Sequence, residues 1–178
     1  MDIVERRFNF TLAFLSAELP APAKILDLGV DNSLADQMRA AGYDVINTPH
    51  ADLDLHPEVV SGHDVDAVTA FEIIEHLINP FSVLDALDAP RLIATVPLRL
   101  WFAKAYKNPN DILDQHFHEF EPWQFDRLIE KTGWEIKNST SWTGPTGRVG
   151  IRPLLRRYTP RYYGVSATRK ELHDRKSV

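Results

Sequence analysis

The chain contains no cysteine, which removes disulfides, thiolate metal sites and a cysteine nucleophile from consideration. It has no excess of positive charge either. Its 25 acidic residues outnumber 20 basic ones, and a net charge of −5 gives no bulk attraction for nucleic acid or an anionic membrane. No apolar run approaches the roughly 20 residues that a bilayer-spanning helix needs. Glycine is scarce, with 8 in 178 residues, and no Gly-x-Gly-x-x-Gly run follows the first expected strand. The fingerprint of nicotinamide enzymes is therefore missing. Internal repeats and low-complexity tracts are absent as well.

What is present is an ordinary composition, 44% hydrophobic and 25% charged, in a length that suits one packed domain over residues 1–178. Arg6-Arg7, the stretch Phe8 to Leu15 and then Ala21-Pro22-Ala23 faintly mimic a secretory leader. Asn9 and Thr11 interrupt that stretch and Glu18 follows it, so the expectation is a cytoplasmic protein. Val4, Phe8, Leu12 and Leu15, with Phe14 nearby, instead fit an amphipathic helix packed on the domain.

The most informative run is Asp64 to Leu77, followed by Ile78-Asn79-Pro80. Its first half is apolar and β-branched and reads as a buried strand. Its second half carries Glu72, Glu75 and His76 at i, i+3 and i+4, the spacing of one helix face. Two carboxylates and an imidazole are thus expected where a parallel strand ends, which is where open α/β sheets collect ligands.

Elsewhere Lys24 to Gly29 reads as a strand entering a glycine turn. Asn32 or Ser33 caps a helix that Gly42 stops, and Tyr43 to Ile46 is the next strand. Asn79-Pro80 opens a helix, Arg91 to Pro97 is a buried strand, and Leu98 to Asp114 an irregular aromatic insertion. A helix from about Pro122 to Thr132, a strand from Trp134 to Ser141 and a last strand from Tyr162 to Thr168 complete the pattern. Between the last two strands lie Arg148, Arg152, Arg156, Arg157 and Arg161, either a solvated face or an anion site.

The run Phe71-Glu72-x-x-Glu75-His76-Leu77-x-Asn79-Pro80, preceded by Asp66-x-Val68, resembles the post-strand segment of class I S-adenosylmethionine-dependent methyltransferases, small bacterial members in particular. Its Glu-x-x-Glu-His spacing is similar to that of ubiquinone-biosynthesis O-methyltransferases and of RNA 3′-end 2′-O-methyltransferases, where it helps bind Mg²⁺. The resemblance implies an α/β, Rossmann-like, doubly wound sheet, mostly parallel with an antiparallel C-terminal strand. The short, proline-broken segment before Asp64 makes that sheet one edge strand short.

The resemblance also implies S-adenosylmethionine as cofactor, near Asp27, Gly29, Asp31, Asn47, Asp52, Leu53 and Phe71. Asp31-Asn32-Ser33 stands where the family has further glycines, and Asn47 where it has an acid for the ribose hydroxyls. His118, in His118-x-Phe120-Glu121, matches a segment that supplies a further metal-binding histidine. The implied activity is methyl transfer to a small-molecule acceptor carrying a hydroxyl, with His76 as base, His118 as a second base, and Glu72 and Glu75 orienting it or sharing a metal. A divalent metal is the less favoured use of the cluster, and the ligand set fits Mn²⁺, Fe²⁺ or Zn²⁺ better than Mg²⁺. The alternative is a binding module that keeps the fold and no longer transfers methyl groups.

Overall fold

The computed structural model describes residues 3–111, 114–144 and 149–170. The apolar runs read as strands alternate strictly between two cores, because helices cover both faces of one sheet. Ile25, Ala67 and Ile93 face α1 (Ile3–Glu18) and α2 (Ser33–Ala40), whereas Leu26, Val68 and Leu92 face α3 (Pro80–Ala86) and α4 (Pro122–Lys131). These residues belong to β1 (Lys24–Asp27), β3 (Ala67–Phe71) and β4 (Arg91–Pro97).

With β2 (Asp44–Asn47), β5 (Trp134–Thr143) and β6 (Pro160–Arg169), the sheet has the order β2-β1-β3-β4-β6-β5. The first four strands in that order run parallel, and β6 runs antiparallel between β4 and β5. The chain leaves β1 towards β2 on one side and later places β3 on the other. The crevice beyond the ends of β1 and β3 is thus a topological switch point, the usual ligand position in such sheets. Residues 48–66 form no strand, only a 3-10 turn at Pro57–Val60, so β2 is the sheet edge and the expected edge strand is missing.

The local signals act as their chemistry dictates. Asn32 Oδ1 accepts the amides of Leu34 and Ala35 at 2.9 and 3.1 Å and caps α2. A capping box between Glu121 and Gln124 starts α4. Helix α1 buries Phe14 and Leu15 and lies so close to β6 that a Cβ on Gly164 would sit 2.9 Å from Phe14 Cε1. Among the described residues no helix is long and apolar enough to cross a membrane.

Two elements differ from expectation. The stretch from Glu72 to His76 is not an α-helix: Glu72 takes a left-handed backbone, φ +54°, and only Ile74–His76 form a 3-10 turn. The Glu75 carbonyl is drawn out of any helical ladder by the amides of Phe117 and His118, at 2.9 and 3.2 Å. The arginine-rich link contains a helix, α5 (Ile151–Tyr158), with Ile151, Leu154, Leu155 and Tyr158 at helical spacing. None of its residues is buried. Arg148 lies outside the described residues.

Candidate functional site

A cavity of about 510 Å³ opens above the end of β3. The strand delivers Phe71 and Glu72, and the 3-10 turn behind it delivers Glu75 and His76. Helix α1 contributes Arg7, Phe8 and Thr11, and the start of α2 contributes Asn32 and Leu34. The 98–121 insertion brings Tyr106, Asp114 and His116, and β6 closes the wall with Arg161 and Tyr162.

At its centre Glu75 is 1% exposed, and its Oε1 lies 3.9 Å from His76 Nε2 and 4.0 Å from His116 Nε2. One ligand atom from each of the three residues falls within 4.8 Å of the others, a grouping that can hold a metal ion. The far side of each ring is fixed. His76 Nδ1 lies 3.0 Å from the Gln115 carbonyl, which can only accept, so Nδ1 carries the proton. His116 Nδ1 donates likewise to Glu119 Oε1 at 3.0 Å. Both basic Nε2 atoms therefore turn towards the same carboxylate. Anchoring of the outer ring nitrogen in this way is the arrangement that orients metal-binding histidines.

The carboxylates are costly where they stand. Glu72 Oε1 and Glu75 Oε2 are buried without a hydrogen-bond partner, a penalty of about 1–3 kcal/mol per group. Burial raises the Glu72 pKa, with Arg7 and Arg161 opposing. Burial and then the neighbouring Glu72 charge push the Glu75 carboxyl well above its usual range. The Arg7 guanidinium reaches only within 3.9 Å of Glu72. Such a site takes up a proton or a cation.

His118 stands apart. Its ring stacks on Phe120, its Nε2 lies 3.3 Å from the Ile78 carbonyl, and it does not line the cavity. His116, two residues earlier, occupies the position expected of it, and sequence reasoning passed over it. In His116-Phe117-His118 the alternation of an extended chain puts both histidines on one side, and only the anchoring of amides 117 and 118 on Glu75 decides which reaches it.

Of the residues expected near a nucleoside, Asp27, Gly29, Asp31 and Asn47 lie around the turn after β1. Gly29 has φ +102°, and a Cβ there would lie 3.2 Å from Ile73 Cδ1. Asp31, Asn32 and Ser33 need no left-handed backbone, so the missing family glycines cost no strain. Asp27 accepts hydrogen bonds from Thr69 Oγ1 at 2.6 Å and Asn47 Nδ2 at 3.1 Å, and burial raises its pKa to about 6. Asn47 Oδ1 accepts from Arg39 Nη2 at 2.8 Å, and Arg39 Nη1 pairs with Asp31 at 2.8 Å. Asn47 is thus occupied at both ends, and Arg39 bridges it to Asp31. Leu53 is buried in the core, which takes its side chain away from any ligand. Asp52 is exposed and holds the Asp54 amide, while Asp54 grips the amides of Ile78 and Asn79. Of the seven residues expected near the cofactor, only Phe71 lines the cavity.

No family model matches the chain, and no curated protein matches it in sequence. Solved structures do match. Phosphoethanolamine N-methyltransferase 2 of Haemonchus contortus, in complex with S-adenosyl-L-methionine, aligns at 12% identity and a TM-score of 0.61 over 92% of this chain and 53% of that one. An S-adenosylmethionine-dependent methyltransferase of Archaeoglobus fulgidus aligns at 12% identity and a TM-score of 0.58, over 94% and 93% of the two chains. The 4+2 cyclase SpnF aligns at 12% identity and a TM-score of 0.55, over 92% and 81%. Strand order, the acidic glycine turn after β1 and these alignments agree: the chain has the fold of the class I S-adenosylmethionine-dependent methyltransferases.

Proposed function

We propose that this chain transfers a methyl group from S-adenosylmethionine to a small-molecule acceptor, a hydroxyl in the first instance, in the cavity above β3. The observation that carries the reading is the convergence of two oriented imidazole Nε2 atoms on one buried carboxylate beside the switch point of the sheet. Bound S-adenosylmethionine supplies an already activated methyl group, so the protein's work is to place the acceptor and handle its proton. Asn32, Leu34 and Phe71 form the wall nearest the switch point and fit the methionine end of that cofactor.

His76, with Nδ1–H held by Gln115, presents Nε2 as general base to an acceptor hydroxyl. Glu75 faces the imidazolium that results and balances its charge. The same donor set fits a divalent ion: Glu75, His76 and His116 would hold it, and its chemistry there is to lower the pKa of a bound hydroxyl. A carboxylate with two imidazoles suits Mn²⁺, Fe²⁺ or Zn²⁺.

One observation favours the alternative, a scaffold that no longer binds the nucleoside. The Asp31–Arg39–Asn47 bridge engages the side chain that the resemblance assigns to the ribose hydroxyls. The cyclase among the structural neighbours fits the general point that a fold does not fix its chemistry. Calorimetry with S-adenosylmethionine and S-adenosylhomocysteine on the native chain and on Arg39→Ala decides. Heat in both supports the transferase, heat only in Arg39→Ala identifies a self-closed slot, and no heat in either overturns the proposal. Where cofactor binds, methyl transfer across hydroxyl, amine and carboxylate acceptors with His76→Ala as control tests the base. Undiminished turnover in that variant removes His76 from the mechanism.

A further inference from the structure

A second cavity of about 280 Å³ lies between the 98–121 insertion and α5. Its charged lining is Lys104, Lys107, Arg156 and Arg161 against one carboxylate, Glu119. That carboxylate is already engaged, accepting from His116 Nδ1 at 3.0 Å and from the Tyr106 amide at 3.2 Å, with Arg161 at 3.9 Å. Arg161 is held in place by donating to the Leu98 carbonyl at 2.7 Å. Among the described residues Lys104, Lys107 and Arg156 form no ion pair. In a chain of net charge −5, three unmatched cations around one hollow are a local inversion of sign.

The two cavities share Tyr106 and Arg161 and so adjoin one another. Charge fixes which way a ligand spanning them lies. The lysines and arginines of the smaller cavity attract an anion, so its charged end belongs there and its neutral end beside His76. Three cations left over after Glu119 match a doubly charged group better than a single carboxylate, and arginine offers a planar fork to two phosphate oxygens.

We propose that the smaller cavity holds a phosphate monoester, and that the acceptor is a phosphorylated small molecule whose reacting atom reaches the Glu75, His76 and His116 cluster. The inference rests on the acceptor reading above for the second half and on the lining alone for the first. Inorganic phosphate titrated into the full chain by calorimetry is the test. The native chain is expected to bind at millimolar phosphate, and Lys104→Gln with Lys107→Gln, both exposed, to weaken binding by about tenfold. Arg127→Gln, on the far helix α4, is the charge control and should bind as the native chain does.

Phenyl phosphate should bind more tightly than phosphate and phenol not at all. Equal weakening by Arg127→Gln, no binding by the native chain, or acetate binding as tightly as phosphate would each overturn the phosphate site. S-adenosylmethionine is titrated separately. Cofactor heat without phosphate binding removes only this inference, and phosphate binding without cofactor heat removes the transferase together with the acceptor half of this inference, leaving the phosphate site.

Discussion

His116 Nε2 lies 4.0 Å from Glu75 Oε1, although α3 and β4 separate the two residues in the chain, Glu75 following β3 and His116 lying in the insertion after β4. The contact exists because the Glu75 carbonyl holds the amides of Phe117 and His118. A residue with no recognisable spacing to Glu72-x-x-Glu75-His76 thereby joins that motif.

Metal binding follows this geometry. Equilibrium dialysis against Mn²⁺ or Zn²⁺ should find one site in the native chain, lost in Glu75→Gln and His116→Ala by about a hundredfold or more. His118→Ala should retain it, since that ring stacks on Phe120 outside the cavity. Loss in His118→Ala with retention in His116→Ala would reverse the assignment.

Glu72 should invert the usual order of alanine and glycine. Its φ of +54° is strained for any residue with a Cβ. Glu72→Gly should therefore be more stable than Glu72→Ala by about 1 kcal/mol in urea unfolding. Both should exceed the native chain once the buried, unpartnered carboxylate is gone. The strain is retained because it turns the carboxylate into the cavity.

Asp27 gives stability a pH dependence of definite sign. Its carboxyl titrates near 6 when folded against 3.8 as an isolated group. Between those values the folded chain keeps a proton that the unfolded chain has released. The stability it contributes is full below about pH 4 and is lost as pH rises to about 6, by up to about 3 kcal/mol. Unfolding of the native chain and Asp27→Asn at pH 4, 5, 6 and 7 should show the native chain losing ground steadily and then levelling. A difference flat in pH would contradict the raised pKa.

Gly164 should not tolerate a methyl group. An added Cβ meets Phe14 Cε1 at 2.9 Å and Trp142 Cζ3 at 3.2 Å, and overpacking of this kind costs about 1–3 kcal/mol. Gly164→Ala should lower the melting temperature and Phe14→Leu should restore part of the loss in the double variant, a coupling that a double-mutant cycle reads directly.

Much of this was legible in the sequence. Arg91 to Pro97 matches its strand, and the helix expected from about Pro122 to Thr132 ends one residue earlier, because a strand buried on both faces and a helix opened by proline and stopped by Gly133 are local patterns. The resemblance puts cofactor residues on both the Asp27 turn and Phe71, which requires those two strand ends to be neighbours, and the pairing of Asp27 with Thr69 makes them so. What escaped was set by distant contacts. The choice of His116 over His118 depends on one carbonyl, and the engagement of Asn47 depends on Arg39 reaching across from α2. Leu53 is placed near the cofactor by the family resemblance alone, and its side chain packs in the core while Leu55, two residues on, stays exposed. Helix α5 escaped because its apolar stripe stays open to solvent.

The direction of β6 has an effect beyond sheet pairing. Because it runs against β4, with Tyr162 opposite Pro97, the beginning of β6 stands at the same rim where the parallel strands finish. Arg161 inherits its seat between the two hollows from that reversal alone. Had the last strand run with its neighbours, Arg161 would sit at the opposite pole of the sheet, away from the Leu98 carbonyl that holds it, so one inverted strand decides which side chain stands between the two hollows.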